Sequence, residues 1–140
     1  MKFASLIILT VLATVSCVTV KLSSPEPKRA EGVVFREPGR PFERDHRDDV
    51  DTAFKNPRNG NVISYVSDCK DSSDPTLEGI VAGVLSGLQD LKTESQERSK
   101  WLDREALRVK ASGSVDGVAS AIDLFVFKKN QCIFVLSYVG

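Results

Sequence analysis

Three cysteines and one histidine hold most of the reactive side-chain chemistry of this chain. Cys17 stands where an apolar N-terminal run gives way to polar sequence, a place where a thiol can serve as an attachment point. Cys69 and Cys132 both fall at expected strand boundaries, one just after a strand and the other opening one. In an oxidising compartment two such residues either join as a disulfide or remain as two buried thiols. A bridge would close a loop of roughly 60 residues and stabilise by roughly 4 kcal/mol through chain entropy. A catalytic thiol is not expected, because no Cys-x-x-Cys pair occurs and His46 lies in a charged, proline-flanked stretch. Asp68, Asp71 and Asp74 are spaced like alternate ligands of a calcium loop, but the central glycine and closing glutamate of such a loop are missing. Helix capping and solvation account for these acids. One histidine and three cysteines do not assemble the usual transition-metal sites, so no metal, no cofactor and no enzymatic activity are expected.

The N-terminus carries the strongest pattern. Lys2 is followed by an apolar run from Phe3 to Val15, and no further charge occurs before Lys21. A lone positive charge before a short apolar run is the pattern of a secretion signal. The run is shorter than the roughly 20 residues that span a bilayer as a permanent helix. The segment Leu12-Ala13-Thr14-Val15-Ser16-Cys17 resembles a lipobox, with a small residue before the cysteine and Thr14 where an aliphatic residue is usual. The resemblance implies a signal peptide over 1–16 and lipidation of Cys17. Val18, rather than Asp, follows the cysteine, which by resemblance to enteric lipoproteins favours the outer membrane. A plain cleaved signal peptide and an uncleaved anchor are the competing readings.

The elements behind that leader divide in two. Residues 17–49 read as a lipid-anchored, disordered linker: Pro25, Pro27, Pro38 and Pro41 interrupt regular structure, and charges of both signs crowd it. Gly32-Val33-Val34-Phe35 is the exception, either an edge strand or an apolar clip on the domain. Residues 50–140 read as one α+β domain. Strands are expected over 51–56 and 61–67 about the turn Pro57-Arg58-Asn59-Gly60, then over 105–115, 118–128 and 132–139 about Asp116-Gly117 and Lys128-Lys129-Asn130-Gln131. A helix is expected after Asp74 as cap and Pro75 as first residue. Leu77, Ile80, Val81, Val84, Leu85, Leu88 and Leu91 form its buried stripe, and Gly79, Gly83 and Gly87 form a small-residue ridge for close packing. Residues 93–101 fit either a helix extension or a loop. The order is β-β-α-β-β-β: an antiparallel sheet of about five strands with one helix packed on a face. The last strand is apolar to the chain end, so it must be central, covered by a helix, or cut short of a longer chain.

The run Ala53-Phe54-Lys55-Asn56-Pro57, Ser67-Asp68-Cys69, the proline-led helix, Arg104-Glu105-Ala106-Leu107-Arg108, Val115-Asp116-Gly117-Val118 and Phe127 to Tyr138 looks like a group of small exported lipoproteins of Gram-negative bacteria. Their layout is similar to the PsbP-like α+β fold. The resemblance covers about residues 50–140 and implies no activity. It also implies a helix after the last strand, so a domain ending at Gly140 reads as C-terminally truncated.

Lys plus Arg and Asp plus Glu both number 19, giving no net charge and no overall field toward nucleic acid. The expectation is a non-enzymatic binding or structural accessory module of the cell envelope, held at the membrane through Cys17, facing the periplasm, with an envelope protein as partner. The alternative is a periplasmic carrier holding a small molecule or lipid between helix and sheet. Trp101 and Tyr65 are candidates to line a groove, and Lys128-Lys129 is expected as a solvated hairpin tip.

Overall fold

The computed structural model describes residues 27–70 and 73–140. Cys17, the leader before it and Asp71 lie outside the described residues. The chain is α+β, with seven strands rather than five: β1 (Glu43–Asp45), β2 (Thr52–Lys55), β3 (Val62–Asp68), α1 (Leu77–Leu85), β4 (Gln89–Trp101), β5 (Arg104–Val115), β6 (Val118–Lys129) and β7 (Cys132–Val139). They form one sheet in the order β1-β2-β3-β7-β6-β5-β4, with every neighbouring pair antiparallel.

Local chemistry sets the corners. Asp116 and Gly117 both have positive φ (50° and 80°), as a two-residue hairpin turn between right-twisted strands requires. The turn from β2 to β3 closes with the Asn56 amide donating to the Asn61 carbonyl at 2.8 Å, the Gly60 amide donating to the Asn56 carbonyl at 2.8 Å, and Gly60 at φ 80°. The apolar last strand, β7, lies between β3 and β6. Both its edges are therefore paired, which answers the aggregation hazard that its sequence raises.

The two additional strands come from stretches without apolar alternation. β4 replaces the expected helix extension or loop over 93–101. Nearly all its residues are exposed, so neither of its faces leaves a period-two signal. It forms because β5 offers a complete row of partners, from Gln89 opposite Ser114 to Trp101 opposite Arg104. Its charges and two register shifts suit an outer edge. β1 falls inside the stretch expected as linker and pairs with β2.

The segment from Lys28 is laid on the sheet as well. Arg29 donates to the Ser67 carbonyl at 3.0 Å and to the Asp49 carbonyl at 2.8 Å, and it faces Asp51 at 3.5 Å. The Ala30 amide donates to Ser67 Oγ at 2.7 Å, and Asp51 accepts from the Ser67 amide and hydroxyl. Phe35, in the expected clip, stacks on Phe54 with ring centres 5.8 Å apart and meets Tyr65 at the same distance. One guanidinium and one ring thus dock a segment whose composition alone reads as linker.

The helix is shorter than expected. Thr76, not Asp74, is its N-cap, accepting from the Gly79 amide at 3.1 Å. Asp74 takes a positive φ of 44° and pairs with Lys128 instead, and Pro75 precedes the cap. The helix ends at Leu85, so Leu88 packs on the core from a turn and Leu91 stands exposed on β4. Gly79, Gly83 and Gly87 lie on the exposed side, and a methyl group added at Gly83 or Gly87 would meet nothing within 4 Å. The expected close-packing ridge is therefore absent from the helix–sheet contact. The contact uses Leu77, Ile80, Val81 and Leu85 against Leu107, Val109, Leu124, Val126 and Val135. Burial of each such side chain contributes about 1.5–3 kcal/mol. At Gly113 on β5 a close backbone approach requires glycine: an added Cβ would stand 2.7 Å from the Gln89 carbonyl oxygen.

Candidate functional site

Strand alternation sends one set of side chains toward α1 and the other to the opposite face of the sheet. The helix side is closed. The layer between α1 and the sheet is filled by side chains of at most 7% exposure, in the place where a carrier of the expected kind would hold its ligand.

On the opposite face, the antiparallel register lines up successive rows. Ser67, Phe134, Phe127, Ala106 and Ser99 are opposite one another from β3 to β4. The next row is Tyr65, Leu136, Phe125, Arg108 and Glu97. The third is Ile63, Tyr138, Asp123, Lys110 and Ser95. The first row and Tyr65 carry an aromatic band across the sheet. Phe127 stacks on Phe134 at 4.7 Å, Phe134 meets Tyr65 at 6.3 Å, and Trp101 sets its edge against Phe127 at 4.8 Å and Phe125 at 5.7 Å. Phe35 covers the Tyr65 end, and Arg44 lies over the Phe54 ring at 5.4 Å.

Beyond Tyr65, the second and third rows are only partly covered. They line a shallow concavity of about 550 Å³ whose walls include Ile63, Phe125, Leu136, Tyr138, Glu97, Arg108 and Asp123. Arg108 grips Asp123 through two bonds, Nε to Oδ1 at 2.9 Å and Nη2 to Oδ2 at 2.6 Å. That guanidinium holds the Asp123 carboxyl below its ordinary value of 3.8. Asn61 donates to the Tyr138 hydroxyl at the rim. The site therefore presents an apolar floor with a fixed charge pair, a surface for recognition by contact.

A second concavity, of about 520 Å³, opens at the end of the sheet where β6 turns into β7. Arg104, Lys128, Lys129, Asn130 and Asp74 line it. Lys128 donates to Asp74 at 2.7 Å and to the Pro75 carbonyl at 3.0 Å, so it is a tie between hairpin and helix rather than a purely solvated tip.

No protein-family model matches the chain. No curated protein matches it either. Among solved structures it is similar to PA94, a protein of unknown function from Pseudomonas aeruginosa, with a TM-score of 0.47 at 9% identity over 81% of each chain. A likeness at that distance carries no functional argument.

The remaining sequence candidates divide as follows. The sulfurs of Cys69 and Cys132 lie 2.06 Å apart as a disulfide, tying the end of β3 to the start of β7. Among the described residues no group of three His, Cys, Asp or Glu side chains is placed to hold a metal ion. Asp68 is buried and accepts from the Lys70 amide at 2.8 Å, a turn-forming role. Tyr65 and Trp101 share a face but not a groove: Tyr65 is buried, and Trp101 is 43% exposed at the sheet end. The Arg108–Asp123 pair was not singled out from the sequence. The signal lay in the alternation of β5 and β6, where a charged residue falls on the same face as Phe125 and Phe127.

Proposed function

We propose that this protein is a lipid-anchored, non-enzymatic binding module of the cell envelope, acylated at Cys17 and engaging an envelope protein partner with the open face of its sheet. The observation that carries the binding part is the unequal treatment of the two faces. α1 closes one, while the other leaves Phe125 and Leu136 partly exposed and Tyr138 exposed around the Arg108–Asp123 pair. Half-exposed aromatic and aliphatic side chains with a polar rim are the composition of a contact surface. The anchoring part is supported by the leader and by Ser16-Cys17. The Cys69–Cys132 disulfide suits an oxidising compartment. Among the described residues no helix is long and apolar enough to cross a membrane.

Metabolic labelling with a palmitate analogue tests the anchor: the wild type incorporates label and Cys17→Ala does not. A wild type without label removes the anchored reading. A photo-crosslinking side chain at Tyr138 tests the face. It gives a defined adduct in the envelope that the same probe at exposed Val118 does not give; identical adducts from both positions remove the partner reading.

A further inference from the structure

The tip of the β4–β5 hairpin breaks the local rules of a soluble surface. Leu102 and Asp103 are its two central residues, with φ of 49° and 59°. Such turns favour Asn, Asp and Gly, and an aliphatic residue in this conformation is uncommon. Leu102 is nonetheless an aliphatic residue held 66% exposed, next to Trp101, the only tryptophan in the chain, at 43%. The tryptophan is not loose: Phe127 and Phe125 hold its ring from behind. The tip thus pays twice, in backbone strain and in exposed apolar area, for something a solvated turn does not need.

Cations surround the two apolar residues. Lys100 and Arg104 flank them in sequence, and Arg104, Lys128 and Lys129 line the adjoining concavity. The acids at this end include Asp103 in the turn, Asp74, which pairs with Lys128, and Glu78 and Glu105, which both face Arg98. The N-terminal segment also joins the fold at this end. The Cys69 amide donates to the Lys28 carbonyl at 2.7 Å, and Cys69 is bonded to Cys132 beside the β6–β7 turn. Lys28 follows Cys17 by 11 residues, a reach of at most roughly 40 Å. An acyl group at Cys17 therefore tethers the fold through this end, where the segment from Lys28 joins the sheet.

We propose that the Trp101–Leu102 tip and its ring of cations form a second membrane contact, seated in the interface of an anionic lipid bilayer. Leu102 enters the acyl boundary, Trp101 lies at headgroup level, and Lys100, Arg104 and Lys129 meet lipid phosphates. A single acylated site with a basic, apolar contact makes a two-point attachment, which also fixes the tilt of the open sheet face. The placement of this end near the membrane rests on the anchored reading; the affinity of the tip for anionic lipid does not.

The lone tryptophan makes the test direct. The full protein, purified from membranes and reconstituted into phosphatidylglycerol vesicles with brominated acyl chains, is expected to lose Trp101 emission relative to unbrominated vesicles. Phosphatidylcholine vesicles should give a smaller loss. Leu102→Asn suits the left-handed turn and should fold at least as well, yet quench less. Arg104→Gln with Lys129→Gln should weaken partition of unanchored protein onto anionic vesicles by roughly fivefold for each cation removed. Trp101 emission that stays unquenched in vesicles carrying the protein overturns the membrane contact even if Cys17 is acylated. If the mass of the N-terminal peptide shows Cys17 unmodified, the anchor fails instead, and quenching on simple mixing with anionic vesicles still supports the tip contact; no quenching there overturns it.

Discussion

Replacing Tyr65 by Phe separates the cost of one hydroxyl from the worth of its ring. Tyr65 is 5% exposed, and its hydroxyl has no hydrogen-bond partner among the described residues. Ser67 Oγ, nearby, is committed to Asp51 and to the Ala30 amide. A buried polar group left unpaired costs about 1–3 kcal/mol. The ring keeps its contacts with Phe35 and Phe134 in the variant, so Tyr65→Phe is expected to raise stability at neutral pH by about 1 kcal/mol. Burial, and then the negative charge of Asp51, push the phenol from its ordinary 10.0 up to about 12, against a smaller opposing pull from the nearby Ser67 hydroxyl. A folded-state value above the unfolded one means that the stabilisation of the neutral phenol is complete below pH 10 and is lost as pH rises toward 12. Two pH units of displacement correspond to a loss on the order of 2–3 kcal/mol across that window. Tyr65→Phe lacks the group and should lack that part of the alkaline decline, whatever the lysines contribute to both proteins. Urea unfolding of both proteins at neutral and alkaline pH reads both effects from the midpoints. A variant less stable at neutral pH by more than about 1 kcal/mol would mean that the hydroxyl is paired. Parallel alkaline declines would mean that it does not titrate differently on folding.

Three further outcomes follow from the same structure. Reducing the Cys69–Cys132 bridge, which spans a sequence separation of 63, should cost about 4 kcal/mol in the chain-entropy model, measured by unfolding with and without reductant; an unchanged midpoint would refute it. Gly113→Ala should destabilise by about 1–3 kcal/mol because the methyl strikes the Gln89 carbonyl, whereas Gly83→Ala on the open helix face should stabilise by about 0.5–1 kcal/mol. Equal effects in the two melts would contradict these placements. Asp123 is held below 3.8 in the folded chain, first by its hydrogen bonds to Arg108, so its stabilisation is present above that pH and fades as pH falls through the folded value. Acid titration of Asp123→Asn should show a shallower fall than the wild type, and identical curves would remove the pair from the account.

The parts of the fold legible in the sequence are those with a local cause. β5, β6 and β7 lie within one residue of their expected bounds because Asp116-Gly117 and Asn130-Gln131 mark the corners and β-branched residues fill the strands between. β4 carried no such mark, since Lys92, Glu94, Gln96 and Arg98 leave no alternation to read, and its strand state comes from β5 alone. The hairpin that joins them was hidden because Leu102-Asp103 is not a turn pair by composition. The helix was overextended because Leu88 and Leu91 continue its period by coincidence, past the Ser86 cap. Docking of the N-terminal segment depends on Arg29 reaching Ser67, 38 residues away, and no window of sequence contains both. The open face was half legible. Phe125 and Phe127 were visible as strand residues, but in a strand apolar on both sides the pattern cannot tell which face α1 will cover.

The state of Cys17 decides most directly where the folded part works, because acylation there would hold it at a membrane. Intact mass of the mature protein, extracted from membranes in detergent without reductant, measures it. The predicted result is a chain beginning at Cys17, heavier than residues 17–140 by a diacylglyceryl group on the thiol. A mature protein recovered in the soluble fraction with residue 17 unmodified, or with the leader still attached, would contradict it.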